Sequence, residues 1–299
     1  MPFNIFKKLR NQQGAMFGMD ARIALIIASV LAATGGVTMM SKLERSRVEG
    51  AEIGVQIIKD ALENHYKTKS FNKLSPDIRT LFEEGFIEET SLMKDPWDNE
   101  WRYNVLSRQV KINDFTVTEY MATIHSAGKD GVDDSPTPTF PGEWNVWQYM
   151  NDDIGTKLST FEIEKSRVVE YQGRAKLIVN KLEDYSSANY LEAETQCPAA
   201  TWCNNYPADG DKYTDFNFYP QSNSDNSGAT YYDDIKSGGG NSIYVSGSDL
   251  SMAELMKVLG LPKEFTFDPW KRILAYDSNF IQQRPNAHKP PFSASIIYE

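Results

Sequence analysis

Cysteine and histidine are scarce in this chain. Its 299 residues include two cysteines and three histidines. Neither cysteine has a second Cys pair or a His pair nearby, which argues against a zinc site of the usual Cys/His spacing. The sequence also lacks a nucleophile elbow, a P-loop, a metalloprotease helix and a dinucleotide fingerprint. We therefore expect that the protein is not an enzyme.

Positive charge is also in short supply. The chain has 31 Lys and Arg against 41 Asp and Glu, a net charge of −10 and a sequence pI of about 5.0. Proteins that bind nucleic acid usually present a basic face, so nucleic acid is not an expected partner. Hydrophobic residues make up 40% of the chain, enough for the cores of two ordinary domains.

The N-terminus combines a basic leader with an apolar run. Lys7, Lys8 and Arg10 precede Ile23–Met40, which carries no charge. This run approaches the ~20 residues that span a bilayer, and the leader predicts a cytoplasmic N-terminus with the rest exported. A secretory signal is the alternative, but no small-residue cleavage site ends the run, and Asp20 lies at its start.

The apolar run continues into an amphipathic pattern. After Met40, apolar residues recur at helical spacing: Leu43, Val48, Ala51, Val55, Ile58, Leu62 and Tyr66. The two halves together predict one helix from Asp20 to Tyr66, roughly 70 Å long. Such a helix can anchor in a membrane and can also pack against copies of itself.

An exported chain changes the interpretation of the cysteines. Cys197 and Cys203 enclose only the segment PAATW. In an oxidising compartment this spacing fits a short disulfide loop. The alternative is two separate thiols.

A cassette of Asp-Pro-Trp occurs twice, in MKDPWDNEWRYNV at 93–105 and in FDPWKRILAYDS at 267–278. In both, a Tyr follows the Trp by six residues. Proline fixes the backbone, aspartate accepts turn N–H groups, and the aromatic residues supply apolar area. The cassette is therefore predicted to form part of a hydrophobic core, in which its aromatic side chains cover the buried face of a helix.

A second sequence repeat accompanies the cassettes. Residues 164–186 match residues 44–66 at seven positions with a constant offset of 120, including Ser-Arg-Val. The apolar stripe recurs at Val168, Tyr171, Ala175, Ile178, Leu182 and Tyr185. The shared order of helix, short helix, cassette and strand favours an internal duplication; the alternative is chance likeness of two amphipathic helices.

The leader, the long helix, the first cassette and the later TIHSAGKDGVDD occur in an order that resembles the type IV pilin and pseudopilin superfamily. The resemblance is strongest to the major pseudopilin of type II secretion systems. It implies cleavage by a prepilin peptidase between Ala15 and Met16, with Asp20 as the acidic fifth mature residue that serves assembly. The family usually has Gly before the cut and Glu at the fifth position. A cut after Gly14 is the alternative, and it makes Asp20 the sixth residue.

The resemblance and the repeat together predict an α+β protein. In it, a long N-terminal helix packs on a small antiparallel sheet, and a degenerate second copy of the helix-plus-sheet domain follows. The segments are a leader at 1–15, a transmembrane and assembly helix at 16–40, a first domain at 41–150, and a second domain at 151–299 with an insert at 187–246.

The acidic loop that follows the first cassette is a candidate calcium site. Asp130, Asp133 and Asp134 lie within five residues, and Gly128 and Gly131 permit sharp turns. By resemblance, Asp130 is a side-chain ligand, the Ala127 carbonyl is a main-chain ligand, and one or both of Asp133 and Asp134 complete the set. The alternative is a solvated turn without metal.

The expected function is that of a filament subunit in a pilus or a type II secretion pseudopilus. Implied partners are further copies of the chain, other pilins or pseudopilins and an inner-membrane assembly platform. The implied location is a single pass of the inner membrane, with both domains periplasmic or displayed on an extracellular filament. The alternative is a membrane-anchored monomeric binding module or adhesin. It would use the insert, whose Tyr, Asn, Ser and Gly suit either recognition or a polar surface excursion.

Overall fold

The computed structural model describes residues 39–196, 216–223, 230–237, 243–279 and 292–297. Several predicted features lie outside those residues: Gly14, Ala15 and Met16 of the leader, Asp20, and both Cys197 and Cys203. Only the last two residues of the predicted membrane helix at 16–40 are described. Among the helices within the described ranges, none is both long and apolar enough to cross a membrane.

The chain divides into two compact units of mixed helix and sheet. The first comprises the chain up to Ser70, Leu74–Ser107 and Tyr120–Ser159; the second comprises Phe71–Lys73, Arg108–Glu119 and Thr160–Glu299. A long helix and a small antiparallel sheet are both present, so the predicted α+β class is confirmed.

Helix α1, residues 39–65, is the long element of the first unit, and it continues as a π-helical turn at Tyr66–Ser70. From Ala51 onward the predicted stripe is buried: Ala51, Val55, Ile58, Leu62 and Tyr66 are each at most 4% exposed. Leu43, near the N-terminal end of the stripe, is 52% exposed. The stripe therefore enters the core only from Ala51.

Helix α2, Ile78–Glu83, begins at a side-chain cap. The Asp77 carboxylate accepts hydrogen bonds from the Thr80 backbone N–H at 2.7 Å and the Thr80 hydroxyl at 2.9 Å. These bonds, the backbone one first, lower the pKa of the Asp77 carboxyl. Gly85 follows the helix with a φ of +76°, which glycine adopts without strain. A 3₁₀ turn at Thr90–Met93 then leads into the first cassette.

A three-stranded sheet has the order β1-β2-β3, and the tip of its β1–β2 hairpin, Arg108–Glu119, is the part that belongs to the second unit. Its strands are β1 at Arg102–Ile112, β2 at Phe115–Ser126 and β3 at Ile154–Ser159. A two-residue turn joins β1 to β2, and Asn113 supplies the positive φ of 54° that such hairpins need. Strand β2 pairs antiparallel with β3, from Met121 opposite Ser159 to Ser126 opposite Ile154. In the sequence, the short helix α3, Pro141–Val146, separates β2 from β3.

The first cassette packs against α1 at a glycine. Trp101 is 8% exposed, and a Cβ at Gly54 would lie 2.9 Å from its ring. The indole N–H of Trp101 donates to the Leu92 carbonyl at 2.9 Å, which fixes the ring. The aromatic part of the cassette thus covers the buried face of α1, as the sequence predicts.

Helix α4, Phe161–Gln196, is the long element of the second unit. Its buried side chains include Val168 in one core cluster and Tyr171, Ile178 and Leu182 in another, against which Ala175 and Tyr185 pack. The second predicted stripe is therefore confirmed.

The rest of the second unit follows the element order of the first. Helix α6, Asp249–Val258, is followed by Gly260 with a φ of +68° and by a 3₁₀ turn at Lys263–Thr266. The second cassette comes next, and strand β6, Ala275–Asp277, pairs antiparallel with β7, Ser295–Ile297.

The described parts of the predicted insert are folded. Helix α4 runs ten residues into it, and strands β4 at Phe216–Asn217 and β5 at Thr230–Tyr231 pair in parallel before helix α5 at Tyr232–Ser237. A small core joins them to the end of α4: Ala193, Phe216, Phe218 and Tyr232. The described segments of the insert are therefore ordered, because their aromatic side chains form a small core.

Gly54→Ala tests the packing of Trp101 on α1. The added Cβ would meet a rigid ring at 2.9 Å, so we expect overpacking to lower the free energy of unfolding by about 1–3 kcal/mol. The matched control is Gly173→Ala in α4, where nothing lies within 4 Å of the added Cβ. There we expect a gain of up to about 1 kcal/mol from helix propensity. Urea unfolding of both full-length variants in mild detergent checks the pair; equal shifts would contradict the packing.

Candidate functional site

The first Asp-Pro-Trp turn is organised by a buried carboxylate. Asp95 is 5% exposed, and its Oδ1 accepts the backbone N–H groups of Trp97 at 2.9 Å and Asn99 at 2.8 Å. Its own N–H donates to the Asn99 carbonyl at 2.9 Å, and its carbonyl accepts from the Asp98 N–H at 3.0 Å. Asp98 has a φ of 71°. One side chain therefore closes the whole turn.

The second turn repeats this arrangement atom by atom. Asp268 is 1% exposed, and its Oδ1 accepts the backbone N–H groups of Trp270 and Arg272, each at 2.9 Å. Its N–H donates to the Arg272 carbonyl at 2.9 Å, its carbonyl accepts from the Lys271 N–H at 3.0 Å, and Lys271 has a φ of 63°. The two cassettes share a hydrogen-bond pattern as well as a sequence.

Both cassette tryptophans bond to a glutamate on the long helix of their own unit. The indole N–H of Trp97 donates to Glu44 at 3.3 Å, and that of Trp270 donates to Glu164 at 2.7 Å. Glu44 and Glu164 correspond at the 120-residue offset of the sequence repeat. In each unit, therefore, a tryptophan indole N–H donates to a glutamate carboxylate of the long helix.

Both cassette tyrosines bond to a main-chain carbonyl. The hydroxyl of Tyr103 donates to Ser75 and that of Tyr276 donates to Pro220, each at 2.8 Å. Burial is the main factor that raises the pKa of both tyrosines, which keeps each hydroxyl protonated as a donor.

The units differ at the second oxygen of the turn aspartate. In the first unit, Asp95 Oδ2 accepts from the Ser126 hydroxyl at 2.5 Å, and Ser126 Oγ accepts from the Gly128 N–H at 3.0 Å. Asn99 Nδ2 also donates to the Gly128 carbonyl at 3.2 Å. In the second unit, Arg272 Nε bonds the corresponding oxygen of its aspartate at 2.8 Å. Within the described ranges, the first cassette alone is bonded to the start of an acidic loop.

The acidic loop folds around a carboxylate that arrives from further along the chain. Asp152 Oδ2 accepts the backbone N–H groups of Lys129 at 2.8 Å and Asp130 at 3.3 Å. Gly128, with a φ of 62°, approaches so closely that an added Cβ would lie 2.5 Å from the Asp152 carbonyl. Carboxylate oxygens of Asp130, Asp134 and Asp152 lie within 4.8 Å of one another. Three like charges at this spacing repel unless a cation joins them.

Asp133 turns away from that group. Its Oδ1 lies 2.9 Å from His125 Nε2, and its Oδ2 lies 3.6 Å from Arg102 Nε. A second group of donor atoms within 4.8 Å of one another comprises His125, Asp133 and Asp153. The loop therefore separates two adjacent acids that the sequence places together.

The predicted ligand set is rearranged in the structure. Asp130 and Asp134 lie together, Asp133 belongs to the other group, and Ala127 is fully buried at the end of β2. Sequence reasoning missed Asp152, the third acid of the exposed group. The available signal was the acid pair directly before β3, which matches the acid pair of the loop.

Comparisons of the chain with protein-family models, with curated proteins and with solved structures found no match. The geometry of the two units and of the acidic loop is therefore the basis for a proposal about function.

Glu164→Ala tests the bond between cassette and helix. Glu164 is 2% exposed and also accepts from Arg167 at 2.7 Å, so its loss leaves a buried guanidinium without its carboxylate. We expect the free energy of unfolding to fall by about 3–5 kcal/mol. The matched control is Glu44→Ala, at a half-buried position, where we expect a loss near 1 kcal/mol. Tryptophan fluorescence during chemical unfolding reports both, and equal losses would contradict the assignment.

Proposed function

We propose that this chain is a structural subunit of a pilus-like or type II secretion pseudopilus filament that assembles through its N-terminal helix. The observation that carries the proposal is a set of exposed apolar side chains on α1. Met39, Met40, Leu43 and Ile53 are 66%, 70%, 52% and 61% exposed, although the stripe of the same helix from Ala51 onward forms the core of its unit. A helix that shows apolar side chains outside its own core is suited to pack against a partner.

These exposed side chains continue, in sequence, the uncharged run Ile23–Met40, of which Met39 and Met40 are the last two residues. In the proposal, this run holds the subunit in the inner membrane with the two units in the periplasm. Prepilin peptidase cuts between Ala15 and Met16, and Asp20 pairs with the amino terminus of a neighbouring subunit. The assembly platform then moves the run into a bundle of helices, which burial of apolar area stabilises by about 25 cal/mol per Å².

We further propose that the second unit arose by duplication of the first. Two contacts support this beyond the sequence repeat. They are the carboxylate that closes each turn and the indole bond to a helix glutamate. Chance likeness of two amphipathic helices accounts for neither of these contacts. The second unit kept the parts that close its core.

We propose that Asp130, Asp134 and Asp152 bind a calcium ion. Asp152 is added to the predicted ligand set, and Asp133 is left out. All three donors are hard carboxylate oxygens in an irregular loop, the chemistry that calcium prefers. Loop carbonyls such as that of Ala127, and water, complete its six to eight ligands. Bound calcium, with a charge of +2, offsets most of the repulsion among the three carboxylates and so stabilises the loop.

The same loop is tied to the first cassette through Ser126 and Asp95. Calcium at the loop therefore stabilises the region that surrounds the cassette, and through it the surface that a neighbouring subunit contacts.

A membrane-anchored binding module is the second candidate function. It is favoured by exposed apolar side chains at and just after the end of the insert: Ile243 at 51%, Val245 at 42% and Leu250 at 80%. In this alternative the protein stays monomeric, and the second unit recognises a partner.

Ile53→Glu tests assembly through α1. The side chain is 61% exposed, so a charge there leaves the unit folded but opposes burial against a neighbouring helix. We expect an unchanged melting temperature and a loss of sheared filaments under electron microscopy. The matched control is Val169→Glu on α4, at 60% exposure, which should keep filament yield. A normal yield of filaments from the Ile53→Glu variant would refute the proposed interface.

Asp130→Asn and Asp152→Asn test the calcium site. We expect calcium to raise the melting temperature of the unaltered protein and a chelator to reverse the rise, because the cation offsets like-charge repulsion. Each variant should lose most of this response. Asp98→Asn, which changes an exposed acid of the same unit, should keep it. A full response in both loop variants would refute the calcium assignment.

A further inference from the structure

The group formed by His125, Asp133 and Asp153 lies beside the proposed calcium site but differs from it in composition and burial. His125 comes from β2, Asp133 from the acidic loop, and Asp153 from the turn before β3. One donor atom of each lies within 4.8 Å of the others. Three separate segments of the first unit thus bring an imidazole and two carboxylates to one point.

The deepest members of this group carry polar atoms without a partner. Asp153 is 2% exposed; its Oδ2 accepts from the Ser135 hydroxyl at 2.6 Å, but its Oδ1 has no hydrogen-bond partner among the described residues. His125 is 3% exposed, and its Nδ1 likewise has none. Buried polar atoms are costly when unpaired, and a buried carboxylate oxygen especially so.

An ordinary hydrogen bond between His125 and Asp133 explains only part of this arrangement. The 2.9 Å contact satisfies Nε2 and one oxygen of Asp133, and Arg102, which is half exposed, lies 3.6 Å from the other. Neither contact reaches the unpaired oxygen of Asp153. With a neutral imidazole, the two carboxylates and the one guanidinium nearby leave the group with a net negative charge, which favours the binding of a cation.

The group is also rigidly supported. The imidazole of His125 packs on Trp147, with ring centroids 5.7 Å apart, and a Cβ at Gly155 would lie 2.7 Å from the Cβ of His125. Ser135, which bonds Asp153, also accepts from the Met150 N–H at 3.0 Å. Fixed donors of this kind favour metal binding, because little ordering remains when the ion arrives.

We propose that His125, Asp133 and Asp153 form a second cation site, distinct from the calcium site and suited to a borderline transition-metal ion such as Zn²⁺. Imidazole with carboxylates is a donor set for zinc, whereas calcium prefers oxygen alone. The adjacent acids of the chain alternate between the sites. Asp134 and Asp152 serve the all-oxygen group, and Asp133, which is exposed, and Asp153, which is buried, serve the group that contains the buried His125.

The experiment is a zinc titration of the full-length protein in mild detergent, against a chromogenic chelator and in saturating calcium. Calcium occupies the all-oxygen group, so zinc reports the other site. We expect one zinc ion per chain, with affinity reduced about tenfold or more in His125→Gln and in Asp153→Asn. Two control variants should bind zinc with the affinity of the unaltered protein. They are His65→Gln, which alters a buried imidazole paired with Glu84, and a double Cys197→Ser, Cys203→Ser variant.

X-ray absorption at the zinc edge of the unaltered protein provides a second measurement that needs no variant. One imidazole nitrogen with oxygen ligands and no sulfur is the expected coordination shell. The proposal is overturned by an absence of zinc uptake, by a sulfur-containing shell, or by uptake that persists unchanged in both the His125 and Asp153 variants. The calcium proposal is unaffected by any of these outcomes, because its ligands are different residues.

Discussion

Each unit depends on one buried aspartate that accepts two backbone N–H groups of its own turn. Asp95 and Asp268 do this at 2.8–2.9 Å, and both are at most 5% exposed. A buried carboxylate needs such partners to offset the loss of water, so the turn and the charge stabilise each other. The turn then presents its tryptophan to a glutamate on the long helix, and the following strand carries a tyrosine to a main-chain carbonyl.

The acidic loop is connected to this turn in the first unit, and the described residues show no such connection in the second. Ser126 bridges Asp95 and the Gly128 N–H, so the loop begins at a fixed position beside the cassette. In the second unit, Arg272 bonds the corresponding carboxylate oxygen directly. The two turns therefore differ in what bonds the second carboxylate oxygen of their aspartate: a serine hydroxyl that also bonds the acidic loop in the first unit, and an arginine side chain in the second.

Much of the fold could be predicted from periodicity and local signals. The stripes of α1 and α4 follow from helical spacing, and Trp101 was correctly expected to cover a helix. The arrangement at the acidic loop could not be predicted, because it depends on the turn before β3 reaching back across 18 residues from Asp134 to Asp152. Adjacent acids alternate in direction along an extended segment, so Asp133 and Asp134 serve different groups. The exposure of Leu43 was also missed, because periodicity alone does not show where a core begins.

Assembly through α1 is the central proposal for this protein. The most direct test is cryo-electron microscopy of the unaltered protein sheared from cells. We expect regular filaments in which α1 lies along the axis and the side chain of Ile53 is buried against a neighbouring subunit. Dispersed single particles, or filaments in which that face of α1 points to solvent, would contradict it.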